Sequence, residues 1–406
     1  MRADIVVIGA GALGLSTALH AALAGRSVVV VERETAGSQA SGRAAGLFKS
    51  VQADELRTAL ARRSIERAVR FGDWAGVPLE VRQAGSFLLA RTGRQQDYLR
   101  HEAAQSRGWG ADVREVTAAE LAASVPYYHG GGGELALSCP QDVYIEEPAS
   151  LIGAYLEAGR LHGVQVLEAE PATGVTLSSG RVAGVETTAR SISTAAVVDA
   201  AGAWTRQVAA LAGADVSVAP VRHQLLITEQ SALVDPGAPI VRVADAAVYL
   251  RPARGGLMVG GFETGPLHID PASEPPSFST RDVPLDLGVL RKLAGQVSAE
   301  VPLAAGLPVA EHRGGLFTMS PDGAFVLGPV PDVPGLWVAS GCNGSGFSSS
   351  PALGEALAGW ITGGAPPGGV AALAPGRFGA VTEAVLVQRG LWQYEHYYDP
   401  VPARQP

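Results

Sequence analysis

The sequence predicts a mixed α/β (α+β) fold, with a domain built on a parallel sheet interleaved with a second domain built on a large antiparallel sheet. Three observations predict it. The chain opens on the β-branched run Asp4-Ile5-Val6-Val7-Ile8, turns through Gly9-Ala10-Gly11-Ala12-Leu13-Gly14 into an Ala/Leu-rich stretch, and returns as Ser27-Val28-Val29-Val30-Val31. That is the order of a buried strand, a turn, a helix and a parallel strand. Further on come short apolar runs broken by Gly and Pro: Leu225-Leu226-Ile227-Thr228, Ala247-Val248-Tyr249-Leu250-Arg251 and Leu257-Met258-Val259-Gly260. These read as antiparallel sheet. Finally, 406 residues exceed the ~100–200 residues of one domain.

Composition narrows the function classes. Apolar residues make up 47% and charged residues 17%, so the chain reads as globular throughout. A formal net charge of −8 argues against a nucleic-acid partner, because phosphate backbones are gripped by clustered Lys and Arg. The pair Arg62-Arg63 reads as a solvated helix face. Cys139 and Cys342 are too few for a disulfide framework and lack metal-ligand spacing, so free thiols in a cytoplasmic protein and no metal are expected. Gly9, Gly11 and Gly14 interrupt the apolar start and no small-residue cleavage site follows, so it is a strand and not a signal peptide. No run of about eighteen apolar residues predicts a membrane span.

In the first element Gly9 permits a tight turn, Gly11 lets the backbone approach a pyrophosphate, and Gly14 lets helix pack on strand. Leu13 lies in this turn and is a candidate cofactor contact; the turn opens a helix expected over Leu15–Ala24 and closed by Gly25, and the helix's N-terminal N–H groups favour an anion. Glu32 ends the second strand, eighteen residues past Gly14, where a carboxylate receives both ribose hydroxyls of an adenosine and disfavours a 2′-phosphate. Arg33 follows it. The unit is therefore Rossmann-like, and FAD and NAD are the candidates.

Gly37-Ser38-Gln39-Ala40-Ser41-Gly42-Arg43-Ala44-Ala45-Gly46 is small, polar and glycine-rich, suited to wrapping a flat cofactor with backbone donors. This stretch resembles the flavin-contacting segment of the D-amino-acid oxidase superfamily, especially its glycine oxidase, sarcosine oxidase and dimethylglycine dehydrogenase branch. The resemblance implies FAD, with Ser41, Arg43, Ala44, Ala45 and Gly46 at the flavin. It also implies returns to the cofactor fold later in the chain. Gly163-Val164-Gln165-Val166 reads as a short strand before Pro171-Ala172-Thr173-Gly174-Val175, where the family contacts adenine at the position of Ala172. Ala195 to Trp204 resembles a strand ending in an Ala-Gly-Ala-Trp turn under the cofactor, at Ala201, Gly202 and Trp204. Ser320-Pro321-Asp322-Gly323 resembles the family's Pro-Asp-Gly hairpin, with a strand following at Leu336–Gly341. Gly344, Ser345, Gly346 and Phe347 then lead into an apolar helix expected over Pro351–Ile361, whose positive end implies a contact to the flavin's pyrimidine edge.

The implied FAD-binding domain is discontinuous, over residues 1–80, 140–215 and 311–365, with a substrate domain over 81–139 and 216–310. A C-terminal tail, 366–406, is unmatched, and its Trp392, Tyr394, His396, Tyr397 and Tyr398 are expected to be a docking anchor.

For the chemistry, the resemblance implies hydride transfer from a carbon next to nitrogen to the flavin, followed by imine hydrolysis. A substrate carboxylate then needs a cation. Lys49 ends the flavin loop where sarcosine oxidases have an arginine. Their second basic residue is replaced by Ser348, and the arginine of glycine oxidases by Phe317. Arg251 is ranked above Arg313 for a bidentate contact. Tyr249 matches the family's sheet tyrosine, and His223 is a candidate for ammonium deprotonation. Met258 stands where sarcosine oxidases keep a lysine thought to assist oxygen reduction. Gly315 and Arg43 stand where relatives attach flavin through cysteine or histidine, so non-covalent FAD is expected. The reading is an FAD-dependent oxidase of a secondary amine or N-substituted glycine, with O2 as acceptor. Its alternatives are a dehydrogenase of the same fold and a non-catalytic flavin-binding subunit of a larger amine oxidase.

Overall fold

The computed structural model describes residues 1–399. A six-stranded sheet runs in the order Val326–Pro329, Leu336–Ser340, Val197–Asp199, Ile5–Ile8, Val28–Val31, Gln165–Leu167. The last five are parallel to one another and Val326–Pro329 pairs antiparallel. Both faces are covered, which is why its N-terminal strands are unbroken β-branched runs rather than alternating ones. The first helix is Ala12–Leu23, three residues earlier than expected, because Gly11 already serves as its N-cap. It packs against a long helix, Gly346–Gly363, so closely that a Cβ on Gly354 would lie 2.3 Å from Ser16 Oγ. That contact aligns two helix starts more than three hundred residues apart in sequence.

The long helix begins five residues before the expected Pro351. Proline inside a helix leaves the carbonyl four residues back without its donor. Here the Ser350 hydroxyl donates to that carbonyl, Phe347 O, at 2.8 Å, so the helix passes through.

An eight-stranded sheet follows the order Val309–Met319, Ala219–Thr228, Gly256–Gly261, Val248–Ala253, Ile240–Val243, Ser86–Ala90, Leu135–Cys139, Arg114–Val116. It is antiparallel except where Ile240–Val243 lies parallel to Ser86–Ala90. Two differences from the sequence reading concern Val309–Met319. It pairs along its length with Ala219–Thr228, so residues 311–319 join the large sheet and not the cofactor segments. The Asp322-Gly323 turn is therefore not a hairpin: it carries the chain from one sheet to the other, and the hairpin partner of Val326–Pro329 is Leu336–Ser340. The C-terminal helix Glu383–Glu395 lies across these strands. A Cβ on Gly390 would stand 3.0 Å from Ala219 Cβ and 3.3 Å from Met319 Cβ, so any side chain there would push these neighbours back by a few tenths of an ångström. The expected tail extends to 406, and residues 400–406 lie outside the described residues. No helix among the described residues is long and apolar enough to cross a membrane.

Candidate active site

A cavity of about 630 Å³ lies between the two sheets. Of the residues expected at the cofactor, Gly9, Gly11, Leu13, Glu32, Arg33, Ser41, Arg43, Ala44, Ala45, Gly46, Ala172, Ala201, Gly202, Trp204, Gly344, Ser345, Gly346 and Phe347 line it. Gly14 lies beneath: a Cβ there would stand 2.0 Å from Gly9 O, so this position sets helix against strand.

The cradle is built before any ligand arrives. Glu32 accepts the Ala10 N–H on Oε2 at 2.8 Å and the Glu34 N–H on Oε1 at 2.9 Å. Its carboxylate is thereby fixed at the strand end, with lone pairs left for ribose hydroxyls. Ser41 Oγ accepts from Ala12 N–H at the helix start, 3.0 Å away. The Arg33 guanidinium lies 4.2 Å over the Trp204 ring. Two helix N-termini, at Gly11 and Ser345, thus meet one elongated cavity that carries a carboxylate at its adenosine end. These residues fit FAD: two positive helix ends and a close backbone suit a pyrophosphate and a flavin.

Arg251 is not a carboxylate clamp. Its side chain is fully buried, and Nε, Nη1 and Nη2 donate to the carbonyls of Ala45, Pro252 and Glu146 at 2.9, 2.7 and 2.9 Å. Tyr249 and Arg251 share a face of their strand, two residues apart. At Arg251, however, that face is covered by the flavin loop, which the arginine ties down. Arg313 is 7% exposed and lines the cavity; its Nη1 stands 3.4 Å from Glu311 Oε1, its Nη2 donates to Ala44 O at 3.4 Å, and its Nε has no hydrogen-bond partner among the described residues.

His223 corrects a second expectation. Nδ1 is 2.8 Å from Tyr394 Oη and Nε2 is 2.9 Å from Tyr249 Oη, and its ring stacks on Phe317 with centroids 4.2 Å apart. Burial pushes its pKa down to about 3. Both nitrogens are occupied and the ring is neutral at working pH, so it is not placed to take a proton from an ammonium. Burial also pushes the Tyr249 phenol up. One consequence is thermodynamic. The unfolded histidine titrates near 6.5 and the folded one near 3, so between those values the unfolded chain binds the extra proton. Stability is then fully present above 6.5 and is lost as pH falls toward 3. His20, pushed by burial down to about 4, acts in the same sense. Urea midpoints measured against pH should fall across this window, and His223→Asn should flatten the fall while leaving His20's share.

The other expected residues divide. Lys49 Nζ lies 4.5 Å over the Tyr397 ring, and Ser348 donates to Ser345 O at 3.1 Å; both line the cavity. Met258 packs with Leu225, Ile227 and Ala253 in an apolar cluster against Ala45 of the flavin loop. The tail is not an outward anchor as a whole. Trp392 and His396 stack on one another toward solvent. Tyr397 and Tyr398 line the cavity, and Tyr397 stacks on Phe262 with centroids 4.0 Å apart.

Arg242 and Phe262, which line the cavity, escaped the sequence reading, and Tyr397 and Tyr398 entered it only as part of a docking anchor. Arg242 is 4% exposed, pairs with Asp142 at 2.6 Å and has an unpartnered Nε. A charge inside the apolar run Ile240–Val243 was a usable signal, since buried arginines are paired or functional. Phe262 and Tyr397 had no local signal. Among the described residues, no cluster of His, Cys, Asp or Glu is arranged to hold a metal.

Comparison with known proteins agrees with this geometry. The family model described as DAO, FAD dependent oxidoreductase, matches residues 4–360. Human mitochondrial sarcosine dehydrogenase is 29% identical over 373 residues, covering 90% of this chain and 40% of that protein. Glycine oxidase of Pseudomonas aeruginosa is 29% identical over 381 residues, covering 90% of this chain and 96% of that protein. The chain thus spans less than half the length of the first curated relatives it matches. Among solved structures, L-proline dehydrogenase from P. horikoshii superposes with a TM-score of 0.83 at 25% identity, covering 93% of this chain and 98% of that one.

Proposed function

The chain belongs to the DAO family of FAD-dependent oxidoreductases, and from that premise we propose that it oxidises the C–N bond of a carboxylate-bearing secondary amine, an N-substituted glycine or a related amino acid. The observation that carries this reading is Arg313: a buried guanidinium with a donor unspent, lining the same cavity as Tyr249, His223 and the flavin loop. A buried guanidinium whose Nε is unpartnered and whose carboxylate neighbour, Glu311, stands only at 3.4 Å is costly unless a further anion completes it.

FAD, when bound, supplies a hydride acceptor for the carbon next to the nitrogen. The chain's own residues do the positioning. Arg313 holds the substrate carboxylate, and Tyr249 and the neutral His223 line the same pocket without adding charge. The rings of Phe262, Phe317 and Tyr397 exclude water, which strengthens the electrostatic contact. Lys49 supplies a second positive group. Water then hydrolyses the imine, releasing an amine and a carbonyl product; the two electrons taken up by bound FAD pass to an acceptor, which in this proposal is O2, reduced to H2O2. The relatives named above include a dehydrogenase as well as an oxidase, so oxygen uptake during turnover is the deciding measurement for the acceptor.

The reading is tested by mixing flavin-loaded protein anaerobically with sarcosine, N-carboxymethyl amino acids, glycine and D-amino acids while following flavin bleaching. Bleaching by an N-substituted glycine is the expected result; a chain that holds flavin and is bleached by none of them is not this enzyme. With the active substrate, Arg313→Gln should raise KM by roughly 30–100-fold, the loss of about 2–3 kcal/mol for a charge-assisted contact, and leave kcat within a few-fold. An unchanged KM would remove Arg313 from the carboxylate site.

The FAD is held non-covalently in this proposal, because Arg43 and Gly315, both lining the cavity, offer no thiolate or imidazole. Cys342 also lines it, but burial pushes its thiol up to about 11, leaving it protonated. Acid precipitation should leave the yellow colour in the supernatant; colour in the pellet would refute this.

A further inference from the structure

We propose that Tyr394, on the C-terminal helix beyond the family match, is a positioning residue that acts through His223 to present the Tyr249 hydroxyl as a hydrogen-bond donor to the substrate carboxylate. The proposal rests on the amino-acid oxidation reading above and adds a role for the tail to it.

Tyr394 is 0% exposed. In that buried setting its hydroxyl proton needs an acceptor. Among the described residues that acceptor is His223 Nδ1, 2.8 Å away. A ring whose Nδ1 accepts, and which is neutral, carries its hydrogen on Nε2. Nε2 therefore donates across 2.9 Å to Tyr249 Oη. Tyr249 accepts there, and its proton is left for a third atom. Tyr249 lines the cavity, so that atom is the ligand.

The polarity matters because a donor suits a carboxylate oxygen and opposes an ammonium. In the other tautomer Tyr249 would spend its proton on Nε2 and turn only lone pairs to the cavity, and the buried Tyr394 hydroxyl would lose its acceptor, at the cost of an unmade buried hydrogen bond. The ring itself has little room to turn: Phe317 stacks on it at an interplanar angle of 16° and Phe262 lies with its centroid 5.2 Å away. Tyr394 is held by the close seating of Gly390 on Ala219 and Met319, and the turn after it by Gln95, whose Nε2 donates to Tyr398 O at 2.7 Å. The tail thereby reaches the substrate pocket without having to touch substrate.

The first measurement needs no variant. In flavin-loaded wild-type protein labelled with 15N-histidine, His223, assigned by its loss in His223→Asn, should appear as the neutral Nε2–H tautomer across roughly pH 5 to 8, the range in which an ordinary histidine titrates. An Nδ1–H tautomer or a titrating ring would overturn the proposal. The second measurement uses acetate, a carboxylate without an amine, titrated against the visible spectrum of the bound flavin. Tyr249→Phe and Tyr394→Phe should each weaken acetate roughly tenfold, and the double variant should bind as Tyr249→Phe does, since both act through one hydroxyl. Wild-type affinity in Tyr394→Phe, effects that multiply, or no acetate binding by the wild type would each overturn it. If Tyr394→Phe does not fold, the wild-type tautomer decides. Acetate binding requires no turnover, so failure of the relay and failure of the N-substituted glycine assay are separately visible.

Discussion

Gly14→Ala should yield protein that folds but emerges from purification nearly free of FAD. A Cβ at this position would stand 2.0 Å from Gly9 O and 3.2 Å from Ala200 Cβ, and the first of these atoms is backbone that cannot swing aside. The helix Ala12–Leu23 must lift from the strand, and overpacking of this kind costs about 1–3 kcal/mol. The cost falls on the cofactor because the lifted end is the one whose N–H groups face the pyrophosphate, and a strain of that size weakens binding roughly 10–100-fold. Gly153→Ala is the control: it too is helical, a Cβ there meets nothing within 4 Å, and it should gain about 0.5–1 kcal/mol from helix propensity. The flavin-to-protein absorbance ratio separates the two, and full flavin content in Gly14→Ala would contradict the packing argument.

Arg251→Met should be among the most damaging single changes in the chain. Three carbonyls, the buried one of Pro252 and the part-buried ones of Ala45 and Glu146, lose their donor together, and an unpaired buried group costs about 1–3 kcal/mol. Because the three share one side chain the costs do not simply add, and a loss of about 3–5 kcal/mol is the expected size. Arg251→Lys should recover little, since an ammonium cannot span three carbonyls as a planar fork does. Urea midpoints and flavin content are the measurements. If Arg251→Met were as stable as wild type and changed only KM, Arg251 would be the carboxylate clamp after all, and Arg313 would not.

The ADP half of the site was legible because its determinants are local. A glycine needed for close approach, a β-branched strand buried on both faces and a terminal carboxylate all lie within Asp4–Glu32, and chain geometry carries them into register without help from elsewhere. The large sheet was legible as a class, from Gly- and Pro-broken apolar runs, but its membership was not: residues 311–319, expected with the cofactor segments, belong to the large sheet, because a strand has the same local pattern in either.

The substrate side was where sequence reasoning failed, and Arg251 and Tyr394 show why. Tyr249 and Arg251 point to one face of one strand, and nothing within that strand tells which of them the loop Ala44–Gly46 will cover. Tyr394, Tyr397 and Tyr398 are a run of aromatics like any docking segment until the helix Glu383–Glu395 is seated on Ala219–Thr228. By itself the sequence determined the nucleotide-binding unit, the family and the presence of a second sheet, since these follow from periodicity and short-range backbone sterics. Only the tertiary structure decided which of Arg251 and Arg313 lines the cavity, which partners the histidine holds and that Tyr397 and Tyr398 of the tail line the cavity too, because hydrogen bonds and burial are settled by groups that approach from distant parts of the chain.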